Sequence, residues 1–211
     1  MEEIFALAIK HHQKNELKTA QDLYKKVLKK IPKHIKAHNN LGIIFHQLGD
    51  SQKAINYFEK AIKFDPNYAD AYYNLGKVFN ELNKLQKAIS CYEKAIQINP
   101  NYPDVLNNLG AIFKDMGEHQ KAIICYEKAI RIDPNYIKAY NNLGTILSEL
   151  NKVKEARKNF EKSLSLNPNI KKTFEGYGNI LLKLGQHDKA LEYIQKGTGT
   201  IRFTQKDFKI V

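Results

Sequence analysis

The sequence predicts an all-α chain of about six antiparallel helix pairs, and three observations carry that prediction. Pro32, Pro66, Pro100, Pro134 and Pro168 recur every 34 residues without a slip. In the same frame, Leu41, Leu75, Leu109 and Leu143 each precede a glycine, at Gly42, Gly76, Gly110 and Gly144. Ala20, Ala54, Ala88, Ala122 and Ala156 are each followed four residues later by an aromatic, at Tyr24, Phe58, Tyr92, Tyr126 and Phe160. A unit of this length cannot bury its apolar face alone, so neighbouring units must stack and share one core.

With each 34-residue block numbered from 1, helix A falls at about positions 2–14 and helix B at about 18–30. Small residues at positions 8, 20 and 27 let the two backbones approach, while large apolar residues at 7, 11 and 24 fill the space between them. Position 15 reads Asn15, Gly49, Asn83, Gly117, Asn151 and Gly185. These two residue types tolerate the left-handed backbone that closes a helix. The proline two residues before each block boundary then stops helix B and directs the chain into the next helix A.

The blocks are 1–34, 35–68, 69–102, 103–136, 137–170 and 171–197. The first departs from the pattern, with Ala8 where glycine recurs and His11 where Phe45, Phe79 and Phe113 follow, and reads as a cap. In the sixth, Lys196-Gly197-Thr198-Gly199-Thr200 replaces the helical end, and Arg202 stands where proline is expected. Residues 198–211 alternate Ile201 and Phe203, then Phe208 and Ile210, around Gln205-Lys206-Asp207. They read as a short extended tail, either an irregular cap or the start of a further domain.

These residues resemble the tetratricopeptide repeat along nearly the whole chain. The resemblance implies a right-handed superhelical solenoid in which helix A lines a concave groove. In style it is similar to the arrays of O-linked N-acetylglucosamine transferases, whose groove asparagines hold a substrate main chain. That comparison carries over to four residues here, Asn40, Asn74, Asn108 and Asn142, all at position 6. An asparagine amide offers donors and an acceptor, which matches a peptide backbone regardless of its side chains. Asparagine is a mediocre helix former, so its recurrence needs a reason beyond propensity.

Helix A positions 2, 5, 6, 9, 12 and 13 form the stripe opposite the packed residues and should face the groove. Beside the asparagine ladder this places Asn39, Tyr73, Asn107 and Asn141 at position 5, Lys77 at position 9, and His46 and Lys114 at position 12. Together they make a polar peptide-binding groove. A chaperone-tail clamp of the kind some arrays carry is not expected, because no lysine occupies position 5 and no arginine position 6. Tyr72, Tyr140 and Phe174 at position 4 read as packing residues.

Composition narrows the remaining classes. The formal net charge of +12 invites a nucleic-acid reading. However, the lysines lack an interleaved aromatic stacking stripe, so nucleic acid ranks below a protein partner. Cys91 and Cys125 have no metal-ligand spacing and read as small buried apolar residues. The seven histidines show no ligand pattern and read as surface residues. No nucleotide-binding loop or nucleophile motif is present, so no enzyme, cofactor or metal is expected.

No run reaches the roughly 18 apolar residues of a membrane span, and the start lacks a signal pattern, so the expected location is cytoplasmic. The leading expectation is a scaffold that binds a peptide or an extended protein segment in its groove. The second is the non-catalytic targeting region of a larger glycosyltransferase or oxygenase continuing beyond Val211. A homodimer through the terminal repeats would cover Ile201, Phe203 and Phe208.

Overall fold

A computed structural model describes residues 1–198, and the residues expected to form the extended tail beyond Thr198 lie outside this range. Twelve helices occupy the described residues, arranged as six antiparallel pairs. They are α1 (Glu2–Gln13), α2 (Leu17–Lys30), α3 (Ile35–Gln47), α4 (Ser51–Phe64), α5 (Ala69–Glu81) and α6 (Leu85–Ile98), followed by α7 (Pro103–Asp115), α8 (His119–Ile132), α9 (Ile137–Glu149), α10 (Val153–Leu166), α11 (Lys171–Lys183) and α12 (His187–Thr198). Thr198, which the sequence assigns to the tail, is the last residue of α12, and Gly197 lies inside that helix.

Position 15 closes helix A by a left-handed residue in every pair. Asn15, Asn83 and Asn151 have φ of 61°, 55° and 57°, and Gly49, Gly117 and Gly185 have φ of 78°, 77° and 72°. The bonds around them follow one scheme. In the first pair Asn15 N–H donates to His12 O and Glu16 N–H to His11 O, both at 2.9 Å. Two carbonyls left unpaired by the end of the helix are thereby satisfied. Helix B ends two residues before each proline, at Lys30, Phe64, Ile98, Ile132 and Leu166. Beyond it, Asp65, Asn99, Asp133 and Asn167 each accept from the backbone N–H two residues on, at 2.9–3.2 Å.

The chain divides into two compact units, Met1–Val105 and the residues from Leu106 onward. In the first unit Tyr24, Phe58 and Tyr92 are fully buried on α2, α4 and α6, with Leu41, Ile44 and Val78 against them. In the second unit Tyr126 and Phe160 occupy the same slots on α8 and α10, joined by Ile112, Ile146, Ile180 and Ile194. Each such side chain contributes about 1.5–3 kcal/mol on burial.

The glycine at position 8 exists for these rings. A Cβ on Gly42 would sit 2.5 Å from the Phe58 ring, and one on Gly76 would sit 2.6 Å from the Tyr92 ring. Gly176 in α11 faces the same limit at position 6, where a Cβ would lie 2.6 Å from the Phe160 ring. Position 6 thus carries glycine rather than asparagine in α11.

His38 departs from the expectation of a surface histidine. It is buried between Tyr57 and Phe64, with ring centroids 5.9 and 5.3 Å away, and its Nε2 lies 2.8 Å from Pro32 O. The reason is its place in the repeat, since position 4 is the packing slot that Tyr72, Tyr140 and Phe174 fill elsewhere.

Candidate peptide-binding face

Helix A carries asparagine at positions 5 and 6 in α3, α7 and α9, and the two positions have different environments. Asn39, Asn107 and Asn141 are buried, with 4%, 6% and 6% of their surface exposed. Asn40, Asn74, Asn108 and Asn142 are half-buried. Neighbouring helix pairs close over position 5, so these three residues lie inside rather than on the stripe expected to face the groove.

The buried amides are held by hydrogen bonds that run from one repeat to the next. In the first unit Asn74 Nδ2 donates to Asn39 Oδ1 at 3.1 Å, and Asn39 Nδ2 donates to Asn40 Oδ1 at 3.4 Å. Asn40 Nδ2 then donates to the Tyr24 hydroxyl at 3.0 Å. Three amides and a phenol thus form one polarised relay. Burial pushes the Tyr24 phenol above its ordinary pKa, an effect the Asn40 bond partly offsets, so it stays neutral and available as acceptor.

The second unit repeats the relay with a different ending. Asn142 Nδ2 donates to Asn107 Oδ1 at 2.9 Å, and Asn107 Nδ2 donates to Asn108 Oδ1 at 3.4 Å. Here the Lys172 ammonium reaches the Asn142 carbonyl at 3.5 Å. Asn141 takes a separate part, accepting from the Thr173 hydroxyl at 2.7 Å, and Thr173 in turn meets Ser163 at 3.1 Å in the interior. Sequence reasoning passed over this pair. The signal was present in Ser163, where other repeats have Ala61, Ala95 and Ala129.

A cavity opens beside each relay. In the first unit one of about 390 Å³ is lined by Ile9, His12, Tyr24, Asn40, Ile43 and Gln47. In the second, one of about 280 Å³ is lined by Asn107, Lys138, Asn141, Asn142, Ile170 and Lys172. Each wall combines a position 6 amide with isoleucine, which suits a ligand that offers main-chain polar groups and small apolar side chains together.

The other expected groove residues are engaged locally. Tyr73 packs its ring 5.2 Å from that of Tyr102 and carries the Lys77 ammonium 5.8 Å from its centroid. Tyr102 donates to Asp70 at 3.0 Å, and its phenol is raised well above its ordinary pKa by burial and the Asp70 charge. His46 Nε2 meets Glu81 Oε2 at 2.6 Å across a repeat boundary, as His12 meets Gln47 at 3.2 Å. Lys114 lies 3.9 Å from the Asp115 carboxylate. Both cysteines are free thiols, Cys125 buried and Cys91 half-buried, and burial raises each to about 11. Neither supplies a thiolate near neutral pH. Among the described residues no group of His, Cys, Asp and Glu could hold a metal ion, and no helix is long and apolar enough to cross a membrane.

Family models for the tetratricopeptide repeat match residues 23–56, 103–136, 125–158 and 173–200, and models for the TPR repeat match 44–82 and 76–117. The chain belongs to the tetratricopeptide repeat family. Among solved structures it is similar to MamA, at 35% identity over 76% of this chain and 94% of that one, with a TM-score of 0.68. It is also similar to PilF of Pseudomonas aeruginosa, at 26% identity over 81% of this chain and 78% of that one, with a TM-score of 0.73. YrrB, described as a TPR protein with an unusual peptide-binding site, matches at 20% identity over 83% of this chain and 91% of that one, with a TM-score of 0.67. At that identity YrrB shows the shared fold alone. No curated protein matches the sequence. Membership of the tetratricopeptide repeat family supports a protein-interaction scaffold.

Proposed function

We propose that each unit of this tetratricopeptide array binds an extended polypeptide segment along its A helices, with Asn40 and Asn74 in the first and Asn108 and Asn142 in the second presenting their amides to the ligand main chain. The observation that carries this reading is the relay. In both units a buried asparagine fixes the plane of its half-buried neighbours, beside a cavity they help to line. A fixed amide has little side-chain entropy left to lose, so a bond to it costs less to form.

The half-buried position 6 residues make the contacts in this reading, and buried Asn39, Asn107 and Asn141 orient them. Tyr73, Lys77, His46 and Lys114 select side chains along the segment. The reaction is binding alone, without catalysis or cofactor.

Selection of binders from a random linear-peptide display library, followed by calorimetric titration, supplies the test. Replacing Asn74, Asn108 and Asn142 together with alanine should weaken a selected peptide by at least about tenfold, since each net hydrogen bond contributes on the order of 1 kcal/mol. An unchanged Kd in a variant with unchanged helicity would sink the ladder as a binding device.

A further inference from the structure

The repeats act as controls for one another, because equivalent positions perform the same structural task in each. On helix B, position 18 is glutamine at Gln52, Gln86 and Gln120 and lysine at Lys154, and position 25 is glutamate at Glu59, Glu93, Glu127 and Glu161. Position 30 is apolar at Phe64, Ile98, Ile132 and Leu166, and position 33, just past the helix, is asparagine at Asn67, Asn101, Asn135 and Asn169. In the first repeat all four become lysine, at Lys18, Lys25, Lys30 and Lys33, joined by Lys26 and Lys29. The fold does not require lysine at any of them.

The five lysines within α2 share one surface. At 3.6 residues per turn they span an arc of about 140° and extend for about 18 Å along the helix, and Lys33 follows just beyond its end. Buried Ala20, Tyr24 and Val27 occupy the opposite side. All six lysines are exposed, and among the described residues none takes part in an ion pair. Asp22, the one acid in α2, is exposed within the same arc and leaves the face strongly basic. In later repeats, by contrast, Lys53 pairs with Asp50, and Lys121 with Glu118.

We propose that the lysine face of α2 docks the array onto an anionic lipid bilayer surface. The face holds lysine and no arginine, and so lacks the planar fork that grips phosphate or base edges in fixed geometry. The one aromatic residue of α2, Tyr24, is fully buried, which leaves this face no ring for unpaired bases to stack on. The face is the outside of a single helix whose apolar side is used up in the core. The cavity of the first unit opens elsewhere and includes none of these lysines. Such a face has no groove to enclose a peptide, but a broad anionic plane needs none. Flexible ammonium groups adapt to mobile headgroups, and each lysine near such a surface strengthens binding about fivefold. Because, among the described residues, the only large exposed apolar side chain beside these lysines is Ile31, docking rests mainly on charge and is reversible and screened by salt.

Co-sedimentation of the full chain with phosphatidylcholine vesicles, with and without phosphatidylserine, tests the proposal at low and physiological salt. The wild type should pellet only with the phosphatidylserine vesicles, and less as salt rises. A variant returned to the recurrent residues, Lys18→Gln, Lys25→Glu, Lys30→Ile and Lys33→Asn, should partition at least about tenfold more weakly. A control with the same loss of charge on other repeats, Lys128→Glu, Lys154→Gln, Lys158→Gln and Lys162→Gln, should keep most of the binding. Circular dichroism checks that both remain folded, and Lys25→Gln with Lys29→Gln gives a milder second variant. Equal loss in reversion and control would show that net charge alone acts and would overturn the proposal. So would failure of the wild type to pellet at low salt, or retention on polyuridylate or polyglutamate without binding to vesicles.

Discussion

The two relays are built from the same residues and end differently. In the first unit the chain of amides runs from Asn74 to the neutral hydroxyl of Tyr24, and its cavity is lined by isoleucine, glutamine and histidine. In the second it begins under the ammonium of Lys172, and Lys138 and Lys172 both reach its cavity. Positions 5 and 6 supply a common polar spine. Position 2 and the neighbouring helix B set the charge around it. On the proposed reading, such an array would hold its main-chain contacts constant while changing the side chains it selects.

The most damaging way to probe this comparison is through the rings that hold each unit together. Phe58→Ala in the first unit and Phe160→Ala in the second should each cost about 3–5 kcal/mol in urea unfolding, because both rings are almost fully buried. Similar losses would show that the units differ in their sites rather than their cores.

A smaller and more specific effect should follow from cutting the relays themselves. Asn39→Leu and Asn107→Leu each remove an acceptor and a donor at once, and should cost about 1–3 kcal/mol. If Asn107→Leu is the milder of the two, the Lys172 contact still holds the Asn142 amide in place, although an ammonium cannot replace the lost acceptor. Chemical denaturation of both variants, with side-chain amide resonances followed by NMR, separates these outcomes.

The smallest effect concerns His38, which has aromatic counterparts at position 4 and no relay role. Burial pushes its pKa below the ordinary 6.5, opposed by the bond to Pro32, with nearby Lys60 and His34 lowering it further. The unfolded chain then takes up the proton first, so this contribution to stability is present above about pH 6.5 and is lost as pH falls below it. His38→Tyr should flatten that part of the profile. Melting temperatures of the two proteins between pH 7.5 and 5 would reveal it, and parallel curves would count against it.

Much of the fold was legible because its signals are local. The proline period, the alternating asparagine and glycine at position 15, and the pairing of Gly42 with Phe58 each follow from residues within one block. The site was only half legible. Recurrent Asn-Asn marks the right helix face, but which of the two is buried depends on a neighbour 35 residues away, as Asn74 is from Asn39. Reading position 4 down the repeats would have placed His38 in the core, since Tyr72 and Tyr140 fill that slot. The Ser163 and Thr173 contact is harder to foresee, because it requires knowing that positions 27 and 3 of adjacent repeats meet.

That fixed separation also bears on how the chain folds. Four of the cross-repeat bonds described above, His12 with Gln47, Asn74 with Asn39, His46 with Glu81 and Asn142 with Asn107, join residues 35 apart. The entropy of closing a loop grows only with the logarithm of its length, so every rung meets nearly the same modest barrier. Contacts of such low order favour rapid folding. A neighbouring pair of repeats can form its own rung before the rest of the array exists, so the amides of the proposed binding face can be set in place while the chain is still growing.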